Sequence, residues 1–447
     1  MKIYNRNKRN SAIANKRSIL EHLRKCAYPL RKGKDLDPLI NLVEDVHYTL
    51  LGEASHGTHE YYTWRTEITK RLIIEKKFSF IAVEGDWPDC YKINRFVKGY
   101  ENAGQSAEEV LKSFNRWPTW MWANLEIVEL MEWLKEYNKN LSPEEKVGFF
   151  GLDVYSLLES LGAIRDYLGK TDKKILHELE KALECFEAYG EKEGIGYSDA
   201  TIEFSASCEK EVVHLLAEIR KKIETHDGDY EAAFGAEQNA LIAVNAERYY
   251  RTMIKGGPAS WNIRDRHMSH TLDRLMHFHG ANARAIVWEH NSHIGDARAT
   301  DMADHGMVNL GQIISEEQGE DDLIRVGFGS YQGTVVAGNF WGDHYQIMSV
   351  PPAQTGSWES LLHDAGPENK LIITNDLETE KFFFHPLGHR AIGVVYDKRK
   401  ETLNNYVPSI IPVRYEAFIF LDHTTALHPL SVPKDDLQIP ETFPWGT

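Results

Sequence analysis

The sequence predicts an α/β fold in which a largely parallel or mixed central sheet is flanked by helices and carries a large helical insertion. Three observations lead there. Four short apolar runs, at 46–51, 80–83, 147–150 and 285–288, are rich in β-branched and aromatic residues and are mostly followed by helical patterns, as buried strands of a parallel sheet are. Between the third and fourth runs, residues 156–280 read almost wholly as helix. Beyond the fourth, closely spaced apolar runs separated by turn residues read as antiparallel or mixed sheet.

Taken in order, residues 19–30 and 36–42 are expected as short helices before the first strand. That strand leads into a helix over 58–76, with Tyr62, Ile68, Leu72 and Ile73 at helical spacing and Thr58 suited to cap it. The second strand ends at Glu84, and Trp87 with Pro88 breaks the chain before a helix at 90–98. Trp117, Trp120 and Trp122 crowd into six residues, a density that packs a core or lines an apolar cleft, and a helix follows at 124–137. Within 156–280, Leu157, Leu161, Ile164 and Leu168 form one stripe, stopped at Gly169, and Leu215, Leu216, Ile219 and Ile223 form another. Two more helices are expected at 240–253 and around Met268 to Met276, with polar connections at 191–199 and 225–230. The whole stretch reads as an insertion forming a wall or lid. Strands are then expected at 323–328, 334–337, 344–350, 371–374, 391–396 and 417–421, with Gly329, Gly333, Gly342 and Asp343 as turn residues. No repeat or linker forces a division, so 1–447 reads as a single domain.

The composition narrows the function classes. With 67 acidic against 51 basic residues the formal charge is -16, which repels phosphate backbones and argues against nucleic acid as a partner. No run approaches the roughly 20 apolar residues of a membrane span, and residues 1–16 lack the apolar core of a secretory signal, so a soluble cytoplasmic protein without membrane contact is expected. Cys26, Cys90, Cys185 and Cys208 lie far apart with no Cys-x-x-Cys pair, which indicates neither a zinc ribbon nor a disulfide scaffold and fits a reducing compartment. Oligomeric state is not legible.

The candidate chemistry sits at the four strand ends, where ligands bind in parallel sheets. Gly52 and Gly57 bracket Glu53 and His56 at a strand-to-helix turn. Histidine accepts a proton near neutral pH, and a carboxylate three residues away can orient it; the plainer reading is a loop histidine bonded to backbone beside a solvated Glu53. Glu84 follows the second strand directly, so it is either paired in the interior or poised at the sheet edge, whereas Asp86 reads as a turn residue. Asp153 ends the third strand and is either a helix-starting residue or a site member. His290 and His293 follow the fourth; their spacing suits metal ligation but is looser than a zinc signature. Arg65 lies seven residues beyond Thr58, about 10 Å along a helix, and helical side chains lean back toward the N-terminus, so it could bind a carboxylate or a developing oxyanion. Arg264, at the start of a predicted helix, is a further candidate. Gly169, Lys170 and Thr171 lack the earlier glycine of a phosphate loop, and no Gly-x-Ser-x-Gly elbow occurs.

Taken together, the segments 52–57, 83–86, 118–122 and 288–293 resemble the erythromycin esterase family. The likeness runs on through 261–266, 389–396, 405–408 and 414–418, and so spans about residues 45–430. The resemblance implies an α/β core with a large helical portion and a cleft at the strand ends. For members that open macrolide lactones, it further implies a histidine general base acting on water. Carried over by position, His56 is the base, Glu53 and Glu84 orient it or the water, Arg65 binds or stabilises charge, and His290 and His293 complete the pocket. Asp153, Trp120, Trp122 and Arg264 are expected to face the substrate, a small ester or lactone. The sequence establishes no cofactor, and a divalent metal held by His56, Glu84, His290 and His293 would be an alternative way to activate water. A non-catalytic small-molecule or metal-binding protein is the remaining reading.

Overall fold

The computed structural model describes residues 16–169, 172–187, 207–223, 229–253, 257–377 and 380–431. The fold is α/β, with a mixed sheet of nine strands flanked by helices. In chain order the strands are β1 (Ala27–Pro29), β2 (Tyr48–Leu51), β3 (Phe80–Asp86), β4 (Gly148–Asp153), β5 (Ala285–Trp288), β6 (Leu323–Ala337), β7 (Gln346–Val350), β8 (Lys370–Ile373), β9 (Leu387–Arg390), β10 (Tyr406–Ser409) and β11 (Ala417–Thr424). By packing, the chain divides into two compact units: Met1–Phe78 with Ile286–His428, and Ser79–Ala285 with Pro429–Thr447. The polar connection expected at 191–199 and most of that at 225–230 lie outside the described residues.

In the first unit the order β1-β8-β11-β6-β2 places parallel pairs β11/β6 and β2/β6 beside antiparallel β11/β8 and β1/β8. β7 returns against β6, and β9 and β10 form a separate ribbon. β2 is buried at every position, as its apolar run requires. The helix His59–Lys76 follows it, burying Tyr61, Tyr62, Arg65, Ile68, Leu72 and Ile73. Thr58 occupies its N-cap position but makes no side-chain cap bond, because its hydroxyl pairs with that of Ser55 instead.

Three expectations need correction here. The helix expected over 19–30 ends at Cys26, because Ala27–Pro29 pairs with β8 as an outer strand, where a proline is tolerated. The strands expected at 323–328 and 334–337 are one continuous strand. Gly329 and Gly333 do not turn the chain; a Cβ on Gly333 would stand 2.0 Å from the Thr424 carbonyl oxygen, so the glycine lets β11 approach. The run expected at 391–396 is not a strand: β9 precedes it, and Ile392 and Tyr396 spend their N–H groups on Ala54 and Gly338.

In the second unit β3 and β4 run parallel, with a register shift between Val83 and Asp86. The next helix begins at Trp87, so Pro88 does not interrupt the chain; it sits in the first turn, where its missing N–H is harmless. The helix Leu125–Asn138 is capped by the Asn124 side chain, which accepts the Ile127 N–H. Helices Leu157–Leu168, Lys173–Glu187, Glu209–Ile223, Tyr230–Met253 and Pro258–His279 occupy most of the described residues in the region expected to be helical. Four of them share a core containing Leu161, Ile164, Leu179, Leu215, Ile219, Ala243 and Tyr249. The cysteine spacing indicates no disulfide scaffold and fits a reducing compartment, yet Cys185 and Cys208 are joined by a disulfide. Their separation of 23 residues hides the fact that one helix ends where another begins. Cys26 and Cys90 are free. Among the described residues no helix is long and apolar enough to cross a membrane.

Candidate active site

In the first unit the loop after β2 is set by two glycines that nothing larger can replace. Gly52 continues the strand ladder with a 2.8 Å bond to the Val326 carbonyl. A Cβ there would lie 2.1 Å from the Asn291 side-chain oxygen, and one on Gly57 would lie 1.9 Å from the Val336 carbonyl oxygen. Between them, Glu53 accepts the Asn291 N–H through its carbonyl at 2.9 Å. The loop carrying Glu53 and His56 is thus tied to the loop carrying His290.

The side chains are arranged with a definite direction of donation. His56 Nδ1 lies 2.9 Å from Glu53 Oε1, and Arg65 Nη2 donates to Glu53 Oε2 at 2.6 Å. An ionised carboxylate only accepts, so the His56 proton belongs on Nδ1 and its Nε2 is the basic nitrogen. Arg65 is fully buried, its guanidinium 4.4 Å from the Tyr62 ring centre and 4.5 Å from that of Trp288. Desolvating a guanidinium is tolerable because the carboxylate and two ring faces replace water.

His290 has the opposite polarity. Its Nδ1 accepts the Ser292 N–H at 3.3 Å and lies 2.8 Å from the Ser292 hydroxyl, which leaves the ring proton on Nε2. The rings of His56 and His290 are 5.1 Å apart, centre to centre. One imidazole can therefore accept a proton where the other can donate one. His293 is fully buried and bonds the His290 carbonyl through its N–H. Both Glu53 oxygens are engaged and a guanidinium stands against one of them, an arrangement that repels a divalent cation at that carboxylate.

In the second unit a different set assembles. Arg264 donates through Nε and Nη2 to the two Asp153 oxygens at 2.9 and 2.7 Å, and through Nη2 to Glu84 at 2.7 Å. Burial opposes its charge, but Asp153, with Tyr155 and Glu84 behind it, outweighs burial and raises the guanidinium above its ordinary range. Trp122 donates from its indole to the Glu84 carbonyl at 3.1 Å and Trp120 is buried, so both tryptophans pack in this unit. Asp86, read from sequence as a turn residue, joins the same group. It lies 3.6 Å from Arg116 and its side chain is 16 % exposed. Burial, countered by Arg116 and reinforced by Glu159 and Asp153, pushes its carboxyl up to about 8.

The structure thus brings Glu53, His56, Arg65 and His290 together in one unit, and Glu84, Asp153 and Arg264 together in the other. Sequence reasoning missed Asp86, whose signal was its place two residues from Glu84 on the same strand. It also gave no role to the buried pair of Glu359 and His389, which are 30 residues apart and 2.6 Å apart in space.

The fold is shared with solved proteins. A succinoglycan biosynthesis protein matches with a TM-score of 0.73 at 20% identity, over 92% of this chain and 98% of that one. A Bacillus cereus protein matches with a TM-score of 0.78 at 18% identity, over 93% and 99%. A histidine-to-asparagine mutant of the erythromycin esterase EreC, in its open conformation, matches with a TM-score of 0.65 at 16% identity, over 90% and 97%. At sequence level, the erythromycin esterase family model matches residues 73–424, a span that takes in Glu84, Asp153, Arg264, His290 and His293 and begins after the loop bearing Glu53 and His56. The chain belongs to the erythromycin esterase family.

Proposed function

We propose that the protein is a carboxylic ester hydrolase in which His56 is the general base. Its Nε2 takes a proton from water, which attacks the carbonyl of a small ester or lactone, and His290 donates its Nε2 proton as a hydrogen bond to the developing oxyanion; the intermediate then collapses, the acyl C–O bond breaks, and His56 returns the proton to the leaving alkoxide, giving acid and alcohol. Glu53 holds the His56 tautomer and balances the imidazolium that forms, while Arg65, spent on Glu53, holds that carboxylate in place. The observation that carries the reading is the chain Arg65 to Glu53 to His56, at 2.6 and 2.9 Å, buried and ending on a basic nitrogen. Family membership supports the ester as bond type, and macrolide lactones are the first substrates to try.

A positioned base contributes about 10²–10⁴-fold to the rate and an oxyanion donor about 10²–10³-fold. A panel of p-nitrophenyl esters, simple lactones and a macrolide should show hydrolysis that falls by about 10³-fold in His56→Ala, with circular dichroism unchanged. Wild-type turnover in a folded His56→Ala protein would overturn the assignment. Tight ligand binding without any His56-dependent hydrolysis would favour a binding protein. Bound metal by elemental analysis, with activity lost on chelation, would favour metal-activated water.

A further inference from the structure

Behind the loop that carries His290 lies a second histidine–carboxylate pair that takes no part in the chemistry just described. His389 and Glu359 are almost fully buried, and His389 Nδ1 lies 2.6 Å from Glu359 Oε1. The same oxygen accepts the Arg390 N–H at 2.9 Å. On the other side of the ring, His389 Nε2 is 3.2 Å from the Asn291 side-chain nitrogen. The Asn291 amide has no freedom to turn over: its nitrogen donates to the Phe328 carbonyl at 2.7 Å, and its oxygen accepts the Phe328 N–H at 3.2 Å.

These bonds fix every proton. Asn291 presents an N–H to His389 Nε2, so that nitrogen must carry a lone pair, and the single ring proton lies on Nδ1, aimed at Glu359. Burial pushes the His389 imidazole down from its ordinary value despite Glu359, and Arg414 and Arg390 add to the effect. Tyr415 and Phe418 close over the ring at 6.0 and 5.3 Å. Asn291 in turn bonds the Glu53 carbonyl through its N–H, is held at its own carbonyl by Arg414 at 2.9 Å, and stands where a Cβ on Gly52 would be.

We infer that Glu359, His389 and Asn291 form a buried positioning relay that fixes the loop of His290 against the loop of Glu53 and His56. The inference rests on the hydrolase reading above, which gives those two loops their chemistry. None of the three touches substrate. They act by holding Asn291 in one orientation, and a misplacement of about 1 Å at a reacting group can lower turnover about 10²-fold.

The test uses the full-length chain and a p-nitrophenyl ester from pH 6 to 9, with His56→Ala as control. Glu359→Gln keeps an oxygen acceptor for both His389 and Arg390, and should hold kcat within about 3-fold of wild type. Glu359→Ala should lower kcat about 10²-fold while KM stays within about 2-fold. Asn291→Asp removes the donor to His389 and forces that ring to take a proton, without opening a cavity. Its deficit relative to wild type should therefore be deepest at pH 8–9 and shrink toward pH 6. Wild-type kcat in Asn291→Asp across the range, or equal losses in Glu359→Gln and Glu359→Ala, would overturn the relay. Where hydrolysis proves independent of His56, the hydrolase reading has failed. The relay is then judged by hydrogen exchange: peptides covering 52–57 and 289–294 should exchange faster in Asn291→Asp, and unchanged exchange in both would overturn it.

Discussion

The two units bury charge in opposite ways. In the first, Glu53 has one partner for each oxygen and the donors run in a single direction, from Arg65 through the carboxylate to His56. In the second, carboxylates outnumber guanidinium groups: Glu84, Asp86, Asp153 and Glu159 share Arg116 and Arg264. A one-to-one chain leaves a defined basic nitrogen at its end. Burial, reinforced by the neighbouring carboxylates, pushes Asp86 up to about 8, while Glu359, bonded to His389 and the Arg390 N–H, is held below its ordinary range against burial.

The largest test of this contrast removes each central arginine. Arg264→Met strands two buried carboxylates, and breaking a buried ion pair costs about 3–5 kcal/mol. Arg65→Met strands one, and Glu53 still has His56, which can take up a proton and supply the missing charge. The loss should therefore be about 2 kcal/mol even with the ring contacts of Arg65 gone. Native-state hydrogen exchange in β3 and in β2 reads the two losses separately. If Arg65→Met opens β2 as far as Arg264→Met opens β3, the distinction between a directed chain and a crowded cluster is wrong.

The second unit also carries the disulfide, between two of its helices. Closing a loop of this size removes about 3 kcal/mol of unfolded-chain freedom. Reduction, or Cys185→Ser, should lower the melting temperature and speed exchange in the helices Lys173–Glu187 and Glu209–Ile223, leaving β2 and β6 unaffected. Equal acceleration in both units would show that their stabilities are not separable in this way.

What could be read from the sequence followed the range of the interaction responsible. β5 has the bounds of its apolar run, and the reach of Arg65 back toward the loop follows from helix geometry over the seven residues from Thr58. The ligands of Arg264 are 111 and 180 residues away, and no local pattern distinguishes a carboxylate awaiting an arginine from one capping a helix. Gly329 and Gly333 misled for a related reason. A glycine that admits a neighbouring strand and a glycine that turns the chain look alike until the neighbour is known. Asp86 was passed over because burial, not residue type, makes it unusual. His389 offered only a histidine beside an arginine, and its partners come from three distant segments.

The smallest expected effect concerns pH, and it separates the units by sign. In the first unit Glu359 and His389 are both depressed. A depressed carboxyl stabilises above its unfolded value and that stability is lost in acid; a depressed histidine likewise loses stability as pH falls through 6.5. In the second unit His267, lowered by burial to about 4, behaves the same way, but Asp86 opposes it. With a folded value near 8, Asp86 stabilises fully only below its unfolded 3.8 and loses that stability as pH rises toward 8. Between pH 4 and 6.5 the Asp86 slope runs against those of His267 and of His279, which burial lowers to about 3; from 6.5 to 8 both histidine slopes have ended and that of Asp86 remains. Exchange in β3 and β4 should therefore quicken over that interval by an amount equivalent to about 1 kcal/mol, allowing for the partial exposure of the group, while β2 and β6 stay flat. Asp86→Asn should abolish the slope in β3 and β4. A slope that survives the substitution would mean that Asp86 is ionised at neutral pH, and that the second unit tolerates its crowded charges by other means than a retained proton.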